Sequence, residues 1–377
     1  MCPPGLLTAV GSQLALFRVM TTMRILHLLN HTLLWNGHVN VAVDLACIQS
    51  RLGHQVCLAS GAGDFGQVLA AEGVEFVEID QTRRPLTLLR ALIRLRQLVR
   101  DFKPDVIHSH MVTSTLLAYA LQRFVKVPHV TTVHNEFQRG AILMKLGDRV
   151  VAVSGSVAES MQKRGVPKEK LRVVLNGTMG SPRVSVTPPE PETLRHPAIT
   201  FVGGLHPRKG LDDLIPAFRQ TLEKIPKATL YLVGEGPYEQ IYRDLAAKLG
   251  CADRIVFCGT RADPRSYLLA TDIFVLPSLA DPASLVLSEA RECACAIVAT
   301  DVDGTREMLN DGKSGLLVPP RRPDLLAQAF ETILENPGMQ IVMRTRAREG
   351  IDQMRVERVA QDYVAVYSEV VGSTSAR

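Results

Sequence analysis

Thirteen short apolar runs, most of them followed by a stretch with helical spacing, govern what this chain can become. They lie at 24–29, 55–59, 75–79, 105–108, 129–133, 149–153, 171–175, 198–202, 229–233, 254–257, 273–276, 296–300 and 315–318. Most are nearly continuous in Val, Ile and Leu, the pattern of strands covered on both faces of a parallel sheet. Strands that alternate with helices place the chain in the α/β class, as doubly wound sheets. The rhythm breaks once, at 181–197, where Pro182, Pro188, Pro189 and Pro191 fix the backbone and rule out a regular helix. We therefore expect an N-terminal extension at 1–22, one Rossmann-like domain at 23–180, a linker at 181–197 and a second such domain at 198–345. Helices at 346–377 are expected to return toward the first domain. Two consecutive domains of this kind set the carboxyl ends of their sheets across a cleft, where such folds bind ligands.

Composition removes several classes of function. With 46% hydrophobic and 21% charged residues the chain is neither fibrous nor disordered. No apolar run reaches the roughly 18 residues of a membrane span. Seven cysteines are scattered without a CxxC pair, which speaks against a zinc ribbon or a disulfide framework and for reduced thiols. The stretch 6–17 has no basic region before it, so it does not read as a secretory signal, and Met20 and Met23 stand just before the first strand. Charge is uneven. Residues 1–180 carry 20 Lys and Arg against 12 Asp and Glu, while the remainder holds 23 against 26. The first half should meet an anionic partner. At 5% aromatics, with no interleaving of basic and aromatic residues, nucleic acid is not that partner.

The most informative loop is 201–215. A strand ends in Gly203-Gly204, two cations follow at Arg208 and Lys209, and a helix opens after Gly210. Glycines allow a bound group to approach the backbone, the helix start offers free N–H groups, and the cations add positive charge. That combination suits a diphosphate. On spacing alone, an ordinary strand-to-helix loop with solvated basic residues fits equally well.

This loop resembles the start of the C-terminal domain of glycosyltransferase family 4, the retaining enzymes of GT-B fold. Further matches follow in the family's order at 232–237, 256–259, 272–278, 281–290, 299–304 and 315–318. In the first half, Asn36-Gly37-His38 and the stretches 52–56, 105–110, 132–135, 151–154 and 174–177 fall in register. The resemblance covers about residues 24–335. It implies a GT-B pair of Rossmann-like domains and transfer of a hexose from a nucleotide-diphosphate sugar to a hydroxyl of a glycan or lipid-linked acceptor. Bacterial envelope polysaccharide or lipopolysaccharide synthesis is the setting it suggests, with a UDP-sugar preferred, a GDP-sugar as the other option, and no metal or cofactor beyond the donor.

Carried onto this sequence, the family's roles fall as follows. Lys209, helped by Arg208, stabilises the leaving diphosphate. Asp281 and His134 hold the donor sugar near the reacting centre. Glu289 accepts hydrogen bonds from the ribose. Backbone N–H groups at Ser284 and Leu285 face the β-phosphate, and Gly37 lets the first loop approach it. Gly203, Gly204, Gly234 and Thr260 complete the donor site, and Asn36 and His110 are expected toward the acceptor. The sequence also departs from the pattern. Asp281 replaces the first Glu of the signature, Gly204 stands where an Arg is common, and Ala294 and Ala296 replace the usual Gly and Pro. These departures keep two other readings open: a catalytically weak or non-catalytic scaffold that binds nucleotide-sugar or glycan, and a nucleotide-sugar epimerase on the same fold.

Other features have plainer readings. Asp301 and Asp303 have the spacing of a metal site but fall at a strand-to-loop turn. His108 and His110 end a strand. Cys293 and Cys295 read as packing, and Trp35 as a loop anchor or an acceptor contact. The segment 83–103 holds seven cations and one acid, with Leu88, Leu92, Leu95, Val99 and Phe102 on one helical face. Packed on the sheet by that face, such a helix can still present arginines to anionic lipid headgroups. The expected location is the cytoplasm, at the inner face of the membrane.

Overall fold

Strands form where the apolar runs predict them, because only there can a continuous apolar segment be covered from both sides. The computed structural model describes residues 22–34 and 36–374. The extension expected at 1–22 and Trp35 therefore fall, almost entirely, outside the described residues. The first sheet contains β1 (Arg24–Leu28), β2 (Gln55–Ser60), β3 (Glu75–Glu78), β4 (Val106–Ser109), β5 (His129–Val133), β6 (Arg149–Ala152) and β7 (Leu171–Val173). The second contains β8 (Ala198–Val202), β9 (Thr229–Val233), β10 (Ile255–Gly259), β11 (Ile273–Leu276), β12 (Ile297–Thr300) and β13 (Leu316–Val318). Their orders are β3-β2-β1-β4-β5-β6-β7 and β10-β9-β8-β11-β12-β13, and the pairs are parallel. Each order reverses beside its first strand, between β1 and β4 and between β8 and β11. Such switch points are where α/β sheets open a ligand crevice.

Parity along β1 decides what each face of the first sheet buries. Leu26 and Leu28 pack with Ala91, Leu95, Val99 and Phe102 of the helix Pro85–Phe102. Ile25, with Val106, Val130 and Val151, faces the C-terminal helix Val356–Thr374. That helix buries Val356, Val359, Ala360, Tyr363, Val364, Tyr367 and Val370, a stripe of helical spacing. The end of the chain thus belongs structurally to the first lobe. A helix Pro337–Ala347 precedes it, and Gly350 at φ 68° ends that segment.

The lobes share a core. Val133, Ala152, Val153 and Val157 from the first lie in one cluster with Ala283, Leu287 and Ala290 from the second. Polar contacts add to it. Glu307 accepts from the amides of Gly155 and Ser156, at 2.8 and 3.1 Å, at the start of the helix Gly155–Lys163. A carboxylate there complements the positive end of the helix dipole. The linker is also tied down, since Arg183 forms a two-pronged ion pair with Asp44 of the helix Gly37–Arg51, both contacts 2.8 Å long.

The helix Leu285–Glu292 ends at Ala294, held at φ 52°. Cys295 N–H donates to Ala290 O at 3.0 Å, the closing bond of a left-handed C-terminal cap. This conformation costs an L-residue about 1–2 kcal/mol, and glycine pays only about 0.5–1 kcal/mol of extra chain entropy. Ala294→Gly is therefore expected to raise the thermal midpoint by about 1–2 °C in an unfolding scan. A lower midpoint would contradict this account of the cap.

Candidate active site

The loop after β8 is built from backbone that tolerates no side chain. Gly234, at φ 133°, would place a Cβ 2.1 Å from the carbonyl oxygen of Gly203. The turns after β8 and β9 can touch only as glycines. Gly204 follows, and a short turn Pro207–Lys209 then lifts the two cations. Gly210, at φ 73°, lies against Pro277 O, where a Cβ would sit 1.8 Å away. Through that contact the cationic turn is pressed onto the loop that carries Asp281.

There the Lys209 ammonium donates to Asp281 Oδ2 at 2.7 Å, and Ser278 Oγ reaches the same oxygen at 3.2 Å. The side chains are 16% and 7% exposed, so the pair faces the cleft from a mostly desolvated position. The Asp281 amide donates to Asp303 Oδ2 at 2.6 Å. Asp303 itself holds φ 41°, a region that Asp tolerates better than most residues. Asp301 pairs with Arg306 instead. Arg208 donates to Ala280 O at 2.9 Å, and its guanidinium lies 5.9 Å from the ring centre of Phe137, across the cleft.

The facing wall comes from the first lobe. Gly37 begins the helix Gly37–Arg51, and a Cβ there would lie 3.8 Å from Leu285 Cδ1. The starts of two helices thus meet across the cleft, and their first-turn amides have no partner within the helix. Ser284 caps the second of these helices with extended backbone and no side-chain cap bond. His134 follows β5, with Glu136 two residues on. Burial raises the Glu136 carboxyl above its ordinary range, Asp303 adds to that, and Arg164 and Arg208 oppose it. Its Oε2 is buried and takes no hydrogen bond among the described residues. Two acids and a cation from opposite lobes therefore meet at Glu136, Asp303 and Arg208, a grouping that the sequence did not suggest.

Glu289 lies one helical turn beyond Leu285. Burial pushes its pKa up to about 7, with Asp263 and Glu292 adding to the rise and Arg183 opposing it. Arg183 is the second residue that sequence reasoning missed. It stands between Asp44 of the first lobe and Glu289 of the second. The Thr260 amide donates to Glu235 Oε1 at 3.2 Å, beside Gly259, which accepts from the Gly234 amide at 2.9 Å.

The two residues expected toward an acceptor sit differently. The Asn36 amide folds back onto the carbonyls of Leu33 and Leu34, at 3.4 and 3.0 Å. His110 is 1% exposed and lies behind His134, with His110 Nδ1 and His134 Nε2 3.1 Å apart. Beside them a pocket is lined by His38, Met111, Val112, His134, Asn135 and Gln138. What the cleft offers chemically is an anion site of glycine backbone, helix starts and Lys209, flanked by acids and by neutral imidazoles.

Comparison with known proteins agrees with this geometry. Residues 188–350 match the family model for glycosyl transferases group 1, and residues 35–178 match that for glycosyltransferase family 4. The chain is 27% identical over 290 residues to the lipopolysaccharide core biosynthesis glycosyltransferase LpsE of Rhizobium meliloti, covering 74% of this chain and 81% of that protein. It is 26% identical over 285 residues to the phosphatidyl-myo-inositol mannosyltransferase of Mycobacterium tuberculosis, covering 71% and 75%. Among solved structures, HepE of Anabaena in complex with UDP-glucose superposes with a TM-score of 0.79 at 21% identity, over 92% of this chain and 100% of that one.

Proposed function

Since the chain belongs to the group 1 glycosyltransferases of family 4 type, with the GT-B fold, we propose that it moves a hexose from UDP to a hydroxyl of an anionic, lipid-linked glycan, with retention at the anomeric carbon. The observation that carries this reading is the Lys209–Asp281 pair, set between a loop of glycine backbone and two facing helix starts. In this scheme the bond from the anomeric carbon to the β-phosphate oxygen breaks as the acceptor oxygen bonds to the same face. The hydroxyl proton passes to the departing phosphate oxygen. Lys209 and Arg208 meet the negative charge that develops there. Glu289 accepts the ribose hydroxyls, and Asp281 and His134 hold the sugar. The reaction needs neither a protein nucleophile nor a metal ion. Of the relatives named above, one acts in lipopolysaccharide core biosynthesis and another is a phosphatidyl-myo-inositol mannosyltransferase, and the solved neighbour holds UDP-glucose. The excess of positive charge in the first half suits an anionic acceptor.

The helix Pro85–Phe102 supports a location at the membrane surface. Leu86, Leu89 and Ile93 are 70%, 55% and 63% exposed on it, with Arg90 and Arg94 on one side of them and Arg96 on the other. An apolar stripe flanked by cations matches a helix that lies in a lipid interface. Among the described residues no helix is long and apolar enough to cross a membrane.

The test supplies purified protein with UDP- and GDP-hexoses, with and without vesicles that contain anionic lipid and candidate glycolipids. Slow release of UDP without acceptor, and an α-linked product from an α-linked donor, are expected. No binding and no hydrolysis with any donor would end the reading, and an isomerised donor would identify an epimerase. The double variant Leu89→Glu/Ile93→Glu is expected to weaken vesicle binding by tenfold or more, roughly the loss of two partly inserted side chains. Its UDP release in free solution should not change. Unaltered vesicle binding would refute the membrane role of this helix.

A further inference from the structure

Behind His134 runs a line of buried polar groups that the transfer scheme leaves unused. β1 and β4 pair in the register His27↔His108, so both rings fall on the face that the C-terminal helix covers. His27 Nδ1 lies 3.0 Å from His110 Nε2, and His110 Nδ1 lies 3.1 Å from His134 Nε2. At the inner end, His27 Nε2 is 2.8 Å from Gln49 Oε1, and Gln49 Nε2 donates to Tyr367 OH at 3.3 Å. Tyr367 OH continues to His108 Nδ1 at 2.7 Å, and His108 Nε2 to Thr132 Oγ1 at 2.7 Å. One ring nitrogen from each of His27, His108 and His110 lies within 4.8 Å of the others, a spacing that a metal ion can use, and the three rings have six nitrogens in all. All six of them already hold hydrogen bonds within this chain.

The chain has one polarity. A neutral imidazole has one donor and one acceptor nitrogen, and the bond at one nitrogen decides the other. Gln49 Oε1 can only accept, so His27 carries its proton on Nε2 and accepts at Nδ1. His110 must then donate from Nε2 and accept at Nδ1, and His134 must donate from Nε2. The reverse polarity needs the Gln49 amide turned over. The 3.3 Å contact would then have to be an O–H···O bond, whose usual range ends at about 3.0 Å, whereas that of an N–H donor reaches about 3.2 Å and lies closer to it.

We propose that Gln49, acting through His27 and His110, fixes the tautomer of His134, so that His134 meets the sugar as a hydrogen-bond acceptor at Nδ1. Nδ1 takes no hydrogen bond among the described residues. An acceptor nitrogen there pairs with a sugar hydroxyl that donates, and it selects against a group at that position that only accepts. Gln49 is a positioning residue. Its amide oxygen holds no proton to pass on and takes none up at neutral pH, so the hydrogen-bonded line runs on to Tyr367 while proton relay stops at Gln49. Burial supports the neutral state: it brings His27 down to about 4 and His134 to about 3, and it lowers His110 together with its histidine neighbours. The part played toward the sugar rests on the transfer reading above, whereas the tautomer does not.

The experiment is nitrogen-15 NMR of the full chain labelled at histidine, with His134 assigned through His134→Gln. In the wild type, His134 is expected as a single tautomer, protonated on Nε2 at neutral pH. In Gln49→Met, which keeps the bulk and removes the acceptor, a mixture of tautomers is expected. With the UDP-hexose that the enzyme accepts, kcat/KM should fall by about tenfold, the rate equivalent of one hydrogen bond. A wild-type His134 protonated on Nδ1 or on both nitrogens would overturn the proposal, even if Gln49→Met does not fold. So would a folded Gln49→Met with the wild-type tautomer. If no donor binds or reacts, the transfer reading fails while the tautomer result stands.

Discussion

Lys209→Ala is expected to lower kcat by about 100- to 1,000-fold, the effect of removing one preorganised stabiliser of developing charge. The argument rests on position. The side chain is only 16% exposed, in a cleft where water screens charge poorly, and its ammonium is held 2.7 Å from Asp281 before any substrate arrives. A leaving diphosphate gains negative charge as the glycosidic bond breaks, so a fixed cation beside it is worth more in the transition state than in the ground state. Donor affinity should fall less than kcat, because the glycine loop, the helix starts and Glu289 remain. The variant also strands Asp281, whose carboxylate then keeps, among the described residues, the Ser278 hydroxyl alone. Lys209→Ala/Asp281→Asn should therefore fold better than Lys209→Ala, while turnover stays low in both. The measurement is UDP release under saturating donor, alongside thermal unfolding of each variant. Turnover by Lys209→Ala at the wild-type rate would remove Lys209 from the chemistry.

Architecture was legible wherever it depends on local pattern. Ile25, Leu26 and Leu28 become a strand because neither face of the sheet is wet, and continuous apolar runs state that directly. The glycines at 203 and 234 were legible as turns after strands, though not as mutually touching backbones, since that contact joins two strands whose spacing the sequence does not encode. The buried face of the helix Pro85–Phe102 was legible, yet the role of Leu86, Leu89 and Ile93 stayed hidden, because they repeat at the same helical spacing and periodicity alone does not say which of two apolar stripes is covered. The acids at Glu136 and Asp303 and the histidine line are hidden for a related reason. Their members lie far apart in the chain and meet only when sheets pair and lobes close. His27 and His108 are 81 residues apart and adjacent in register. The end of the chain shows the same limit: helices were expected from 346, whereas the helix Pro337–Ala347 begins earlier and Gly350 at φ 68° separates it from the last one.

Arg183 is the clearest residue of that hidden kind, and its removal is expected to have the largest effect on stability. It sits in the linker after Pro182, with no motif around it. In the fold its side chain is 10% exposed and Asp44 is 5% exposed, with two contacts of 2.8 Å between them and Ser181 Oγ on the same carboxylate at 2.7 Å. Breaking a buried pair leaves an uncompensated charge, at a cost of about 3–5 kcal/mol. Arg183→Met is therefore expected to lose about that much in denaturant unfolding. Arg183→Met/Asp44→Leu, which removes both charges, should recover most of the loss. The same guanidinium opposes the rise of Glu289, whose pKa burial sets at about 7. A carboxyl raised in the fold adds stability that is whole below its unfolded pKa of about 4.5 and is lost as pH climbs through about 7. Without Arg183, Glu289 stays protonated to higher pH. The folded double variant is then expected to bind donor poorly at pH 7 and to recover affinity as pH rises, because ribose hydroxyls donate best to the ionised form. In the wild type the same acid limb of donor KM should lie near pH 7, and Glu289→Gln should flatten it. Equal stability of Arg183→Met and wild type, or an acid limb untouched in Glu289→Gln, would show that this triad of Asp44, Arg183 and Glu289 does not couple the linker to the donor site.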